Sequence, residues 1–153
     1  MIIYLDSSVL ARAYLPDEAG HAEALALLAT TDAVVITGSW TLIEVSGALI
    51  RAARAARAAR ANEALLLAAL DADLDARSGV VVTIDAHQAE VERIALDLVR
   101  ASGIRSMDAW HLACAMLAFE ELAEPGEDRV FATRDVEQLA MAGQLGWRTS
   151  INS

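Results

Sequence analysis

Five short apolar runs, separated by longer stretches with helical periodicity, constrain this chain more than any other feature. Residues 2–5, 34–36, 80–84 and 129–132 read as strands, and 147–150 as a weaker edge strand. Helical patterns fill the intervals at 7–15, 20–29, 39–61, 63–77, 87–101, 106–122 and 136–145. Strands that alternate with helices predict an α/β fold with a parallel sheet, because parallel strands need crossover connections. The runs are continuously apolar, as strands covered on both faces should be. Pro16 closes the first helical pattern, and Glu124-Pro125-Gly126-Glu127 is the clearest loop. With 153 residues and no shift in composition, the chain is expected to form a single domain over 1–153.

The hydrophobic fraction is 56%, above the usual range, and 33 alanines supply much of the excess. The longest charge-free stretches, 33–43 and 109–119, have 11 residues each, too few for a membrane span. The N-terminal residues carry no basic region followed by a sustained apolar segment, so no signal peptide is expected. The single cysteine, Cys114, excludes an intramolecular disulfide framework and points to the cytoplasm, with the thiol buried. The apolar surplus points to an interface covered by a partner.

The net charge of −10 argues against a generic nucleic-acid surface. All 12 basic side chains are arginine. Without lysine, P-loop nucleotide binding and Schiff-base chemistry are excluded. Arg51, Arg54, Arg57 and Arg60 recur at three-residue spacing, which fans them across about half of a helix circumference. That fan suits a solvated alanine-rich helix as well as a phosphate-binding surface.

Four acids stand out by position. Asp6 and Asp135 each lie just beyond the carboxyl end of a predicted strand, where parallel α/β sheets bind ligands. Glu44 stands early in the helix after the second strand, so it starts on that same side. Asp108 opens a helix two residues after Ser106, the expected N-cap. Each acid also has a structural reading. Asp6 and Asp135 suit helix caps, Thr41-Leu42-Ile43-Glu44 has capping-box spacing, and Asp108 suits the positive end of a helix dipole. Four clustered carboxylates would raise one another's pKa unless a cation neutralised them. Oxygen donors select hard ions such as Mg²⁺ or Mn²⁺, and the three histidines do not form a zinc pattern. Trp40, Trp110 and Trp147 offer faces for base stacking, with core packing expected for the first two.

Taken in order, four blocks resemble a known family. Leu5-Asp6-Ser7-Ser8-Val9-Leu10, Glu44 after the second strand, Arg105-Ser106-Met107-Asp108-Ala109-Trp110-His111-Leu112-Ala113 and Phe131-Ala132-Thr133-Arg134-Asp135 are similar to the blocks of PIN-domain toxins of the VapC kind. The resemblance implies a Rossmann-like three-layer sandwich with a five-stranded parallel sheet in the order 3-2-1-4-5. It also implies a Mg²⁺- or Mn²⁺-dependent endoribonuclease whose Asp6, Glu44, Asp108 and Asp135 are both catalytic and metal-binding. From their positions, Ser8 and Thr133 are candidates to orient those carboxylates or to cap local backbone. His111, three residues after Asp108 on one helical face, is a candidate partner or a half-buried structural histidine. Arg105 and Arg134 flank two of the acids, placed to meet substrate phosphates or to balance site charge. The implied partners are RNA, a cognate antitoxin and a second copy of the chain, with no membrane. The alternative is a non-catalytic PIN-like module that binds RNA or protein.

Overall fold

The computed structural model describes residues 1–55 and 60–150. Arg57 of the arginine repeat and positions 151–153 of the expected single domain lie outside the described residues. The elements run β1 (Ile2–Leu5), α1 (Ser7–Leu10) continued by a 3₁₀ turn (Ala11–Tyr14), α2 (His21–Leu28), β2 (Val34–Gly38), α3 (Thr41–Ala55) and α4 (Arg60–Asp73). There follow β3 (Val82–Ile84), α5 (Gln88–Ser102), α6 (Ser106–Leu122), β4 (Arg129–Ala132), α7 (Val136–Gln144) and β5 (Arg148–Ser150).

The five strands form one sheet in the order β3-β2-β1-β4-β5, and every neighbouring pair is parallel. This is the expected α/β topology. All four residues of β1 are buried, which suits the central strand of a doubly covered sheet. Side chains alternate between the faces. Tyr4, Ile36 and Phe131 pack with Leu112 and Phe119 of α6 on one face. Ile3, Leu5, Val35 and Val130 pack with Val9, Val45, Leu49 and Leu70 on the other. The charge-free stretch around 109–119 is therefore a core helix, with Ala109, His111, Leu112, Ala113, Cys114 and Ala115 all buried. Among the described residues, no helix is long and apolar enough to cross a membrane.

Several boundaries depart from the sequence pattern. The helix expected over 39–61 ends as α3 at Ala55 within the described residues, while Arg60 and residue 61 belong to α4. Alanine favours helix throughout that repeat, so the local sequence carries no stop signal. α4 ends at Asp73 rather than 77. Asp75 Oδ1 accepts bonds from the backbone N–H groups of Arg77 and Ser78, an Asx turn that competes with helix. β3 starts at Val82, later than 80, and β2 runs on to Gly38. Arg51 and Arg54 are exposed, and Arg54 lies 3.5 Å from Glu63 across the α3–α4 pair.

Candidate active site

The carboxyl ends of β1 and β4 lie side by side, since Leu5 is in register with Ala132. The next residues therefore emerge together. The Asp6 N–H donates to the Ala132 carbonyl at 3.0 Å, which extends the pairing by one step and brings Asp6 beside Thr133. Asp6 is only 4% exposed. Its Oδ2 accepts from the Ser8 N–H at 3.1 Å and from the Thr133 hydroxyl at 3.2 Å. A carboxylate buried this deeply needs such donors.

His111 links this acid to Glu44. Its ring is fully buried; Nε2 donates to Glu44 Oε2 at 2.7 Å and lies 3.4 Å from Asp6 Oδ1. Its other nitrogen, Nδ1, is 2.9 Å from the Tyr4 hydroxyl, which rises from β1. Burial pulls the imidazole pKa down, but the bond to Glu44 and the charges of Asp6, Glu44 and Asp108 outweigh it and raise it. Glu44 is placed by the start of α3. There the Thr37 and Thr41 hydroxyls are bonded at 2.7 Å, and Thr37 also donates to the Leu5 carbonyl. Gly38 ends β2 beneath Trp110, where an added Cβ would lie 2.6 Å from the indole ring. Only glycine lets Trp110 lie there, next to His111.

A second pair of acids lies toward solvent. Asp108 is in the first turn of α6, and Asp135 is the N-cap of α7. Asp135 Oδ1 accepts from the N–H groups of Glu137 (2.9 Å) and Gln138 (3.0 Å). Arg105 bridges the pair: its Nε donates to Asp108 Oδ2 at 2.7 Å, and its Nη2 donates to Asp135 Oδ2. Burial and the charges of Asp135 and Asp6 keep the Asp108 carboxyl above its ordinary pKa, although Arg105 pulls the other way. Thr133 joins the two pairs, because its hydroxyl also accepts from the Asp135 N–H at 3.1 Å.

All four predicted acids thus belong to one hydrogen-bonded and electrostatic network. The structural roles weighed from sequence are partly realised as well. Asp6 and Asp135 do cap helices, each with one oxygen. The capping-box geometry at Glu44 is not used that way, since its carboxylate goes to His111 and Thr41 turns to Thr37. The N-cap of α6 is Arg105, not Ser106. Ser8 reaches Asp6 through its backbone N–H; its hydroxyl accepts from the Arg134 N–H at 3.2 Å. The charge of Arg134 acts on Arg12, whose guanidinium pKa is lowered by burial first and by Arg134 second. A groove of about 600 Å³ opens beside Glu44, lined in part by Ser7, Ser8, Arg12 and Arg51. The tryptophans reverse their expected order. Trp40 is 48% exposed, whereas Trp147, partly buried, stacks on Phe131 and meets Phe119 edge to face against the core.

Two contributors were not singled out from sequence. Tyr4 reads as a strand residue, with nothing to distinguish its hydroxyl. Gln138, fully buried, reaches the Asp108 carbonyl at 3.3 Å and lies against Thr133. Its place three residues after an N-cap aspartate was the available signal.

Carboxylate oxygens predominate in this cluster, so its donor chemistry fits a hard divalent cation better than zinc. The cluster is also one that demands positive charge, and His111 and Arg105 each meet that demand between two acids. Among the described residues, no group of three His, Cys, Asp or Glu stands together in a form that holds an ion. The donors fit; their arrangement here is closed around the side chains of His111 and Arg105.

Residues 3–141 match the PIN domain family. A solved structure of VapBC2 from Rickettsia felis, bound to a DNA fragment from their promoter, is similar at a TM-score of 0.63 and 12% identity. That match covers 99% of this chain and 98% of the other. VapBC-1 from nontypeable Haemophilus influenzae is similar at a TM-score of 0.54 and 14% identity, with the same coverage. Comparison with curated proteins gives no match.

Proposed function

The chain belongs to the PIN-domain family, and from that premise we propose that it is a divalent-ion-dependent endoribonuclease, the toxin of a toxin–antitoxin pair. The observation that carries this reading is the convergence of Asp6, Glu44, Asp108 and Asp135, drawn from four separate elements, on one network at the carboxyl end of the sheet. Structural capping alone gives no reason for four acids to converge.

In this reading Asp6, Glu44, Asp108 and Asp135 hold Mg²⁺ or Mn²⁺. The bound ion supplies water activation and neutralises charge developing on the phosphodiester. Thr133 and the Ser8 N–H aim the Asp6 carboxylate, and His111 aims Glu44. Arg105 and Arg134, at the rim, supply positive charge for substrate phosphates. The groove beside Glu44 is open, which suits a polymer backbone. Water is the nucleophile, so the products carry 5′-phosphate and 3′-hydroxyl ends.

The antitoxin is proposed from the family together with exposed apolar surface. Ile43, which lines that groove, is 66% exposed, and Trp40 is 48% exposed. A second copy of the chain and a cytoplasmic location belong to the same reading.

A paired assay on single-stranded RNA tests it, comparing the wild-type chain and Asp6→Asn with Mn²⁺, Mg²⁺ or EDTA. Cleavage is expected only with the ions, and Asp6→Asn is expected to lose on the order of 10³-fold in rate. Activity that survives EDTA, cyclic-phosphate ends or equal rates in the two proteins would refute the mechanism. The alternative of a non-catalytic module rests on the pairing of the acids with His111 and Arg105. RNA binding without cleavage under every ion condition would favour it.

A further inference from the structure

Arg105 stands on the outer rim of the site, 69% exposed in its side chain, yet it holds two partly buried acids. Asp108 and Asp135 come from the N-termini of α6 and α7, and their side chains are only 16% and 21% exposed. Two carboxylates so placed repel each other unless a cation stands between them. Arg105, three residues before Asp108, supplies it.

The atoms involved make that position exclusive. Asp135 Oδ1 is already taken, since it accepts the Glu137 and Gln138 N–H groups that begin α7. Oδ2 is therefore the oxygen Asp135 has left to offer an ion, and Arg105 Nη2 is bonded to it. On Asp108, Arg105 Nε is again bonded to Oδ2. At Asp135 a divalent ion and the guanidinium compete for the same oxygen, and at Asp108 the guanidinium already holds one of the two. This also accounts for the lack of a ready ion-holding group of three among the described residues.

We propose that Arg105 is a built-in counter-cation: it occupies the divalent ion's place between Asp108 and Asp135 and is displaced when the ion enters. The inference rests on the reading of the four acids as an ion site. His111 bridges Asp6 and Glu44 from a fully buried position and cannot leave without opening the core. Arg105 leaves into solvent, where an exposed ion pair is easily exchanged. The arginine keeps the empty site from self-repulsion, and it also weakens ion binding by the fraction of time it occupies the site.

Calorimetric titration of Mn²⁺ into the wild-type chain, Arg105→Ala, Arg105→Gln and Arg93→Ala tests this without any activity measurement. Arg93 is an exposed arginine paired with Glu90 and Asp97 on α5, and its loss changes net charge equally. Removing Arg105 is expected to tighten the apparent Kd about tenfold, the change expected when a competitor holds the site nine-tenths of the time. Arg93→Ala is expected to stay within about twofold of wild type. A Kd unchanged or weaker in both Arg105 variants overturns the inference, as does an equal tightening in Arg93→Ala. In the wild-type chain, Mg²⁺ is expected to shift the Arg105 Nε–H resonance, assigned by its absence from Arg105→Gln, in step with ion occupancy. A resonance that does not move overturns displacement. If neither wild type nor variants bind Mn²⁺, the ion-site reading fails with it; binding at equal affinity sinks the counter-cation alone.

Discussion

The inner and outer halves of the acidic site solve one electrostatic problem in opposite ways. In both, two carboxylates are drawn together and a nitrogen-bearing side chain sits between them. The inner bridge, His111, is fully buried and anchored through Tyr4 to the central strand. The outer bridge, Arg105, is more than two-thirds exposed and is held by the two acids it joins. The inner bridge is therefore part of the core, and the outer one is a removable part of the surface. Burial, rather than bond length, separates a structural ion pair from an exchangeable one.

That contrast is broken most severely at His111. His111→Phe leaves Asp6, Glu44 and the Tyr4 hydroxyl without a shared partner in the core. It is expected to cost about 3–5 kcal/mol, or a melting temperature lower by roughly 10 °C. The raised pKa of His111 gives a second check in EDTA. The folded state holds this proton more tightly than the unfolded chain, whose value is near 6.5. The resulting stability is complete below that pH and is lost as pH rises through the folded value. The gap between wild type and His111→Phe is therefore expected to narrow as pH rises above about 6.5, and a gap that widens would contradict a raised pKa.

Thr133→Val cuts the link between the halves without touching a charge. Asp6 loses a donor and the Asp135 N–H loses its acceptor. A loss of about 10–100-fold in cleavage rate is expected, with the fold intact by circular dichroism. The smallest effect falls on the outer half. Arg105→Ala is expected to leave the melting temperature almost unchanged, since its ion pairs are solvent-exposed. A destabilisation as large as that of His111→Phe would erase the distinction between the halves.

The same contrast explains what could be read from the sequence. The central strands were legible because burial on both faces forces continuous apolar runs, as in Ile2–Leu5 and Arg129–Ala132. Strand ends then placed Asp6 and Asp135. The end of α4 at Asp73 was not legible, because the Asx turn made by Asp75 lies in a stretch whose pattern still reads as helix. Which oxygen of Asp135 caps α7 and which meets Arg105 depends on tertiary approach, and no local pattern encodes it. His111 was visible as a neighbour of Asp108 on its helix, but its bonds to Glu44 and Tyr4 span 67 and 107 residues. Trp40 and Trp147 were misjudged for a related reason. An aromatic beside a strand end packs inward only if another element covers it, as Phe119 and Phe131 cover Trp147.

The adjacency of β1 and β4 carries a consequence in time. Asp6 is made more than 120 residues before its neighbours Thr133 and Asp135. At roughly 5–20 residues per second, the ribosome needs on the order of ten seconds to span that gap. For most of that interval the emerging polypeptide carries Asp6, and then Glu44, without Asp108, and for all of it without Asp135. The strand that completes the sheet's centre also completes the acidic cluster, so a half-made chain holds only half a site. Maturation of the centre is a late event in the life of each molecule, timed by the order of the strands.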